Sequence, residues 1–210
     1  VSTETIAKER LIIFSRYPEP GKTKTRLIPA LGAEQAANLQ RQMTEHTLTQ
    51  VRALQKDRLT TMEVRFAGGD PSLMARWLGA DLVYQPQGDG DLGTRMARSL
   101  SLAFQDHVDR AVIIGTDCPG LNAHLMAEAF EQLHLEHDLV LGPALDGGYY
   151  LLGLRYFIPE LFIGINWGTS AVLPQTVAIS QQLNLAIAYL PQLADVDRPE
   201  DLSVWKQTQQ

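Results

Sequence analysis

The sequence predicts an α/β protein, a three-layer sandwich in which helices cover both faces of a mostly parallel central sheet. Three observations carry that expectation. Apolar runs of strand length alternate with stretches whose apolar residues recur every three or four positions, the pattern of βαβ units. The first run, Leu11-Ile12-Ile13-Phe14, is apolar without interruption, which suits a strand buried on both faces. The 210 residues, 45% hydrophobic and 20% charged, fit one domain with its own core. That domain is expected over 11–208, behind a polar lead-in from Val1 to Arg10.

The elements follow in order. From Ala36, the residues Leu39, Met43, Thr47, Val51 and Leu54 form a one-sided helical stripe, a crossover helix. Met62 to Phe66 alternates like a strand, Gly68-Gly69 breaks it, and Pro71 opens a short helix at the position where its missing N–H is not needed. A strand is expected around Leu82-Val83-Tyr84. Leu92, Met96, Leu100, Phe104 and Val108 mark a second long helix, followed by a strand from Ala111 to Gly115. Asn122 is a good N-cap for a helix carrying Leu125, Met126, Ala129, Phe130 and Leu133. Leu139 to Leu141 and Tyr149 to Leu154 read as strands, Thr169 to Gln182 as a helix, Leu185 to Leu190 as a strand, and Pro199-Glu200-Asp201 as the start of a terminal helix.

Charge narrows the partners. Eighteen Lys and Arg against 24 Asp and Glu give a net charge of −6, which argues against nucleic acid or an anionic bilayer as the general partner. No apolar stretch approaches the roughly 18 residues of a membrane span, and the lead-in lacks the apolar segment of a signal peptide. The lone Cys118 forms no internal disulfide, and no Cys/His cluster suggests zinc. A cytoplasmic location is therefore expected.

Against this acidic background stands one basic loop. Arg16, Lys22, Lys24 and Arg26, four of the eighteen basic residues, fall within eleven positions directly after the first strand. In a parallel sheet, ligands gather beyond the carboxyl ends of the strands. Pro18, Pro20 and Gly21 oppose regular helix and let backbone N–H groups approach a ligand. The segment, including Thr25, thus reads either as a cradle for a diphosphate or as a solvated basic turn. Gly21-Lys22-Thr23 is not a P-loop, because Arg16 stands where that pattern needs its first glycine.

Carboxylates recur at the ends of strands. Asp117 follows the strand at 111–115, where it serves either a divalent cation or the turn before Pro119. Asp146, before Gly147-Gly148, sits either in a hairpin turn or beside a closely approaching ligand. Asp197 either caps the last helix or binds metal, and capping leaves Asp195 unexplained. Gly90, Asp91 and Arg95 lead into a helix whose start can hold a ribose, a base edge or a phosphate, or forms a plain polar turn. Trp167 either stacks on a ring or joins the core. The five histidines are scattered, and no Ser-His-Asp or Cys-His arrangement emerges.

Five blocks, Phe14 to Leu27, Gly90 to Met96, Ile114 to Pro119, Asp146 to Leu151 and Asp195 to Leu202, together resemble a bacterial family of GT-A-type glycosyltransferases associated with arsenosugar biosynthesis. That family lies within the nucleotide-diphospho-sugar transferase superfamily, and the likeness runs from about Leu11 to Leu202. The same blocks are similar to those of 2-phospholactate guanylyltransferase and, more distantly, of the molybdenum-cofactor nucleotidyltransferases.

The resemblance implies a Rossmann-like GT-A fold, with Lys22, Lys24 and Arg26 on the nucleotide phosphates and Gly90 to Arg95 beside the nucleoside. It also implies Asp117 as a metal-binding residue and Asp197 as a second one. The chain departs from the pattern in two places: Thr116-Asp117-Cys118 offers one carboxylate where many relatives have Asp-x-Asp, and the first loop lacks a glycine-rich run.

The leading expectation is glycosyl transfer from a nucleotide sugar to a small-molecule acceptor with Mg²⁺ or Mn²⁺. Lys22 and Asp117 would act at the leaving diphosphate, and Asp146 would orient or deprotonate the acceptor hydroxyl. The alternatives are nucleotidyl transfer from a nucleoside triphosphate to a phosphorylated acceptor with release of pyrophosphate, and a nucleotide-binding module without turnover.

Overall fold

Strands β1 (Glu9–Arg16), β2 (Thr60–Ala67), β3 (Val83–Pro86), β4 (Arg110–Ile114), β5 (Leu139–Pro143), β6 (Tyr149–Leu154) and β7 (Ile187–Tyr189) form one sheet in the computed structural model, which describes residues 8–208. Their order is β3-β2-β1-β4-β6-β5-β7. All neighbours run parallel except β6, which is antiparallel to both β4 and β5. The helices are α1 (Ile28–Leu31), α2 (Ala33–Asp57), α3 (Pro71–Leu78), α4 (Leu92–Gln105), α5 (Ala123–His134), α6 (Val172–Gln182) and α7 (Leu202–Thr208).

The uninterrupted apolar run of β1 is explained by its place at the centre of the sheet. Successive side chains of a strand point to opposite faces, so Leu11 and Ile13 join a core with α2, α3 and α5 through Val51, Met74 and Phe130. Ile12 and Phe14 join the other core, with Met96 and Leu100 of α4 and Leu161. Fully burying one such side chain contributes about 1.5–3 kcal/mol, and Leu11, Ile12, Leu100 and Phe130 are completely covered. The three-layer sandwich with a mostly parallel sheet is therefore the observed fold.

Local signals set the helix ends. Asn122 accepts a hydrogen bond from the Leu125 N–H (3.0 Å) and caps α5. Asp70 does the same for Leu73 (2.8 Å) ahead of Pro71, and Gly79 ends α3.

Several boundaries differ from expectation. β1 starts at Glu9, inside the expected lead-in, whose residues 1–7 lie outside the described residues. α4 ends at Gln105, and Val108 continues the apolar stripe because it packs into the core from the following loop. α6 begins at Val172 because the Thr169 hydroxyl accepts from the Ala171 N–H, which makes a turn of the preceding residues. β7 spans only Ile187–Tyr189. The 3₁₀ turn Thr25–Leu27 and the short α1 were not signalled by periodicity.

Candidate active site

A cleft of about 740 Å³ opens at the carboxyl rim of β1, β2 and β4. Because β6 runs against its neighbours, the turn between β5 and β6 lies on that same rim and forms the facing wall.

The basic loop is anchored at its root. The Tyr17 N–H donates to the Ala67 carbonyl (2.9 Å), and the Tyr17 ring sits edge-on to Trp77, 5.9 Å between centroids. A Cβ at Gly69 would come within 2.8 Å of that ring, so the glycine makes room for it. Beyond this root, Arg16, Lys22, Thr25 and Arg26 are exposed along the cleft. Lys22 also pairs with Glu19 (2.6 Å).

Lys24 differs from its basic neighbours. Its backbone is left-handed (φ 47°, ψ 44°) and its side chain is only 3% exposed. The ammonium forms an ion pair with Asp117 Oδ1 (2.7 Å) and donates to the Val196 carbonyl (2.6 Å), while the Val196 N–H donates to the Asp117 carbonyl (2.8 Å). Three loops, after β1, after β4 and before α7, are thereby fastened together.

The basic loop and Asp117 thus meet at one rim. Arg26 forms an ion pair with Asp197. The capping alternative for Asp197 is overturned, because the Asp201 carboxylate accepts from the N–H groups of Asp197 (3.1 Å) and Arg198 (2.7 Å) and leaves the Asp197 side chain in the cleft.

At the start of α4, Asp91 Oδ1 accepts from the Thr94 N–H (2.8 Å), and the Thr94 backbone and hydroxyl hold its carboxyl below the usual carboxylate range. Gly90, at φ 105°, carries the tight entry to that helix. Gly90, Asp91 and Gly21 do not line the cleft, whereas Arg95 does.

Arg95 is held by Gln87, a residue that sequence reasoning did not single out. Arg95 Nη1 donates to Gln87 Oε1 (3.0 Å), and the buried Gln87 Nε2 donates to the carbonyls of Ser15 and Arg65 (3.1 Å each). One amide therefore ties β1, β2 and α4 at the cleft.

The turn expected at Asp146 is present. Its Oδ1 accepts from the Gly148 N–H (2.8 Å), an Asx turn joining β5 to β6, and the residue lines the cleft. Gly147, at φ 90°, is obligatory there, since a Cβ would meet the Ser170 backbone at 2.6 Å.

Asp195, unassigned in the sequence, is half-buried beside Asp146 in the same cleft. Burial, and then repulsion from Asp146, raises its carboxyl above the usual range. Trp167 forms a wall between Tyr149, edge-on at 6.4 Å, and Gly93 in the first turn of α4. The Cys118 thiol is buried, and burial followed by the nearby aspartates raises its pKa far from that of a reactive thiolate. Among the described residues, no histidine lines the cleft.

Among the described residues, no three His, Cys, Asp or Glu side chains stand close enough to hold a metal by themselves. The cleft nevertheless suits a hard divalent cation, which takes one or two carboxylates and completes its shell with water and phosphate. Asp117, Asp146, Asp195 and Asp197 all line it, and among the described residues Asp117 and Asp197 meet basic partners while Asp146 and Asp195 form no ion pair.

Residues 49–169 match the family described as "Uncharacterized protein conserved in bacteria (DUF2064)". The chain belongs to that family. Over 98% of its length this DUF2064 protein superposes on 89% of a Desulfovibrio desulfuricans G20 protein that bears the provisional name nucleotide-diphospho-sugar transferase, with 35% identity and a TM-score of 0.90.

More distant structures share the fold. Glucosyl-3-phosphoglycerate synthase from Mycobacterium tuberculosis, in complex with Mg²⁺ and uridine diphosphate, is 14% identical with a TM-score of 0.59, covering 98% of this chain and 76% of that one. 4-diphosphocytidyl-2C-methyl-D-erythritol synthase is 11% identical with a TM-score of 0.60, covering 98% of this chain and 100% of that one. No curated protein matches the DUF2064 sequence. Among the described residues, no helix is long and apolar enough to cross a membrane.

Proposed function

We propose that this protein is a metal-dependent transferase that moves a glycosyl group from a nucleotide diphosphate sugar to a small-molecule acceptor. The observation that carries the reading is the convergence of the basic loop with aspartates at one rim, Lys24 on Asp117 at 2.7 Å and Arg26 on Asp197, across the cleft from the Asp146 turn. A donor diphosphate lies along the exposed Lys22 and Arg26, and each charge-assisted hydrogen bond contributes about 1.5–3 kcal/mol. Arg16 and Arg95 face the nucleoside end.

Asp117 and Asp197 would hold the Mg²⁺ or Mn²⁺, which when bound neutralises charge developing on the leaving diphosphate. Lys22 donates hydrogen bonds to the same leaving group, an interaction that strengthens as the glycosyl bond breaks. Asp146, exposed on the facing wall, orients the acceptor hydroxyl and takes its proton. The 35% identical protein named as a nucleotide-diphospho-sugar transferase supports the donor class. The arsenosugar association implied by the five sequence blocks, and action in the cytoplasm, where a lone thiol stays reduced, belong to the same proposal.

The test is incubation with a panel of nucleotide sugars and small hydroxylated acceptors in Mg²⁺ or Mn²⁺. Release of nucleoside diphosphate, lost in Asp117→Ala and strongly reduced in Lys22→Ala, is the expected result. Pyrophosphate release from a nucleoside triphosphate in its place assigns nucleotidyl transfer. Tight nucleotide binding with no product from any donor assigns a module without turnover.

A further inference from the structure

We infer that Lys24 does not contact the donor phosphates but is the positioning residue for Asp117, setting that carboxylate and the Asp195–Asp197 segment against a bound cation. The inference rests on the cleft being a metal-dependent nucleotide site, and it departs from the phosphate-binding role that the sequence resemblance implies for this lysine.

Four observations carry it. Lys24 is almost fully enclosed, at 3% side-chain exposure, whereas the side chains of Lys22 and Arg26 are more than half exposed. Its ammonium is engaged inside the protein, donating to the Val196 carbonyl and ion-paired with Asp117 Oδ1. Among the described residues, Asp117 Oδ2 receives no hydrogen bond, and the Asp117 side chain is 54% exposed at the cleft. Finally, Lys24 adopts a left-handed backbone that a non-glycine residue takes only at a cost, and strain of this kind persists where the surrounding contacts fix it.

Together these place the ammonium behind the carboxylate. Lys24 holds one oxygen of Asp117 and leaves the other facing the cleft. Through Val196 it fixes the segment that carries Asp195 on one side and Asp197 on the other. Groups that orient a metal-binding carboxylate in this way change metal affinity by about 10–100-fold when removed. A direct phosphate ligand would instead weaken nucleotide binding whether or not metal is present.

The two roles separate in binding measurements on the full chain. Mn²⁺ is titrated by its free-ion paramagnetic signal, with and without uridine, guanosine, cytidine or adenosine diphosphate, and each diphosphate is titrated calorimetrically in EDTA. For Lys24→Met the expected result is Mn²⁺ affinity lowered about 10–100-fold, with metal-free diphosphate affinity within about twofold of wild type. Lys22→Met should show the reverse. In an Asp117→Asn background, Lys24→Met should cost less than in wild type, because the pair with Asp117 is already lost and only the tie to Val196 remains to be broken.

If Lys24→Met weakens metal-free diphosphate binding as Lys22→Met does, or adds fully to Asp117→Asn, the inference is overturned. Should Lys24→Met show no melting transition, Lys24→Arg replaces it. A guanidinium would serve an exposed phosphate contact well, so preserved Mn²⁺ and diphosphate binding in Lys24→Arg also overturns the inference. Selective loss of Mn²⁺ affinity supports it. Wild type that takes up no Mn²⁺ in any condition overturns both this inference and the metal-dependent reading. Mn²⁺ binding that depends on Lys24, without turnover of any nucleotide sugar, overturns only the transferase assignment.

Discussion

Replacing Gly93 by alanine tests whether Trp167 is a fixed wall of the cleft. A Cβ at Gly93 would lie 2.3 Å from the Trp167 indole, against a lower bound of 3.4 Å for ordinary contact, so the ring must yield by about 1.1 Å. Tyr149 stands edge-on to the indole and limits the retreat. Forcing extra atoms into such a contact costs about 1–3 kcal/mol, while alanine in a helix gains up to about 1 kcal/mol over glycine. The net expectation is a loss of about 1 kcal/mol, or about 2–4 °C in melting temperature for a domain of this size. Urea unfolding measures it, and a shift in tryptophan emission reports the displaced ring. In a Trp167→Ala background the clash is gone, so the same substitution should become stabilising by about 0.5–1 kcal/mol. A Gly93→Ala variant that is stabilised in the presence of Trp167, with unchanged emission, refutes the packing argument.

Asn122→Ala removes the α5 cap and should cost about 1 kcal/mol by urea unfolding, with nucleotide binding unaffected. Arg58→Met leaves Glu9, 6% exposed at the start of β1, without its bidentate partner; Arg110 at 3.9 Å and Thr60 relieve part of the stranded charge. The expected loss is therefore about 3 kcal/mol, the lower end for breaking a buried pair, read from the denaturant midpoint. Asp91 titrates below its unfolded value, so the stability it contributes is complete at neutral pH and is lost as pH falls through the usual carboxylate range to the lowered folded value. Asp91→Asn should flatten that acid limb in a series of urea melts between pH 7 and pH 3, and an unchanged slope would contradict the link to Thr94.

Much of the architecture could be read from periodicity because burial dictates it. The unbroken run in β1 reflects two cores meeting on either side of one strand; the stripe of α4 faces one of them, and that of α2 divides between the other and a smaller cluster with Leu27 and Val196. The meeting of the basic loop with Asp117 followed from chain direction alone, since both leave parallel strands at the same rim.

What stayed hidden depends on contacts between distant segments. Four basic residues in one loop look alike in sequence, and only the placement of Val196 singles out Lys24 for enclosure. Asp195 becomes unusual through its burial and then through Asp146, 49 positions earlier, and Gln87 through carbonyls on two separate strands. The reversed direction of β6 had a partial signal in Asp146-Gly147-Gly148, but the short run that follows fits either direction until its neighbours are known.

That reversed strand leaves the two sides of the cleft unequally open to change. Residues on the basic-loop side follow three parallel strands whose ends are tied by Tyr17 and Gln87, so altering any one strains the others. Across the gap, the chain turns back within the five residues between Pro143 and Tyr149. A changed side chain there, outside the Asp146 turn and the obligatory Gly147, would reshape what can enter the cleft while the opposite bank keeps its form. Substitutions that alter the shape of the cleft at least cost to the fold should therefore concentrate in this one bend.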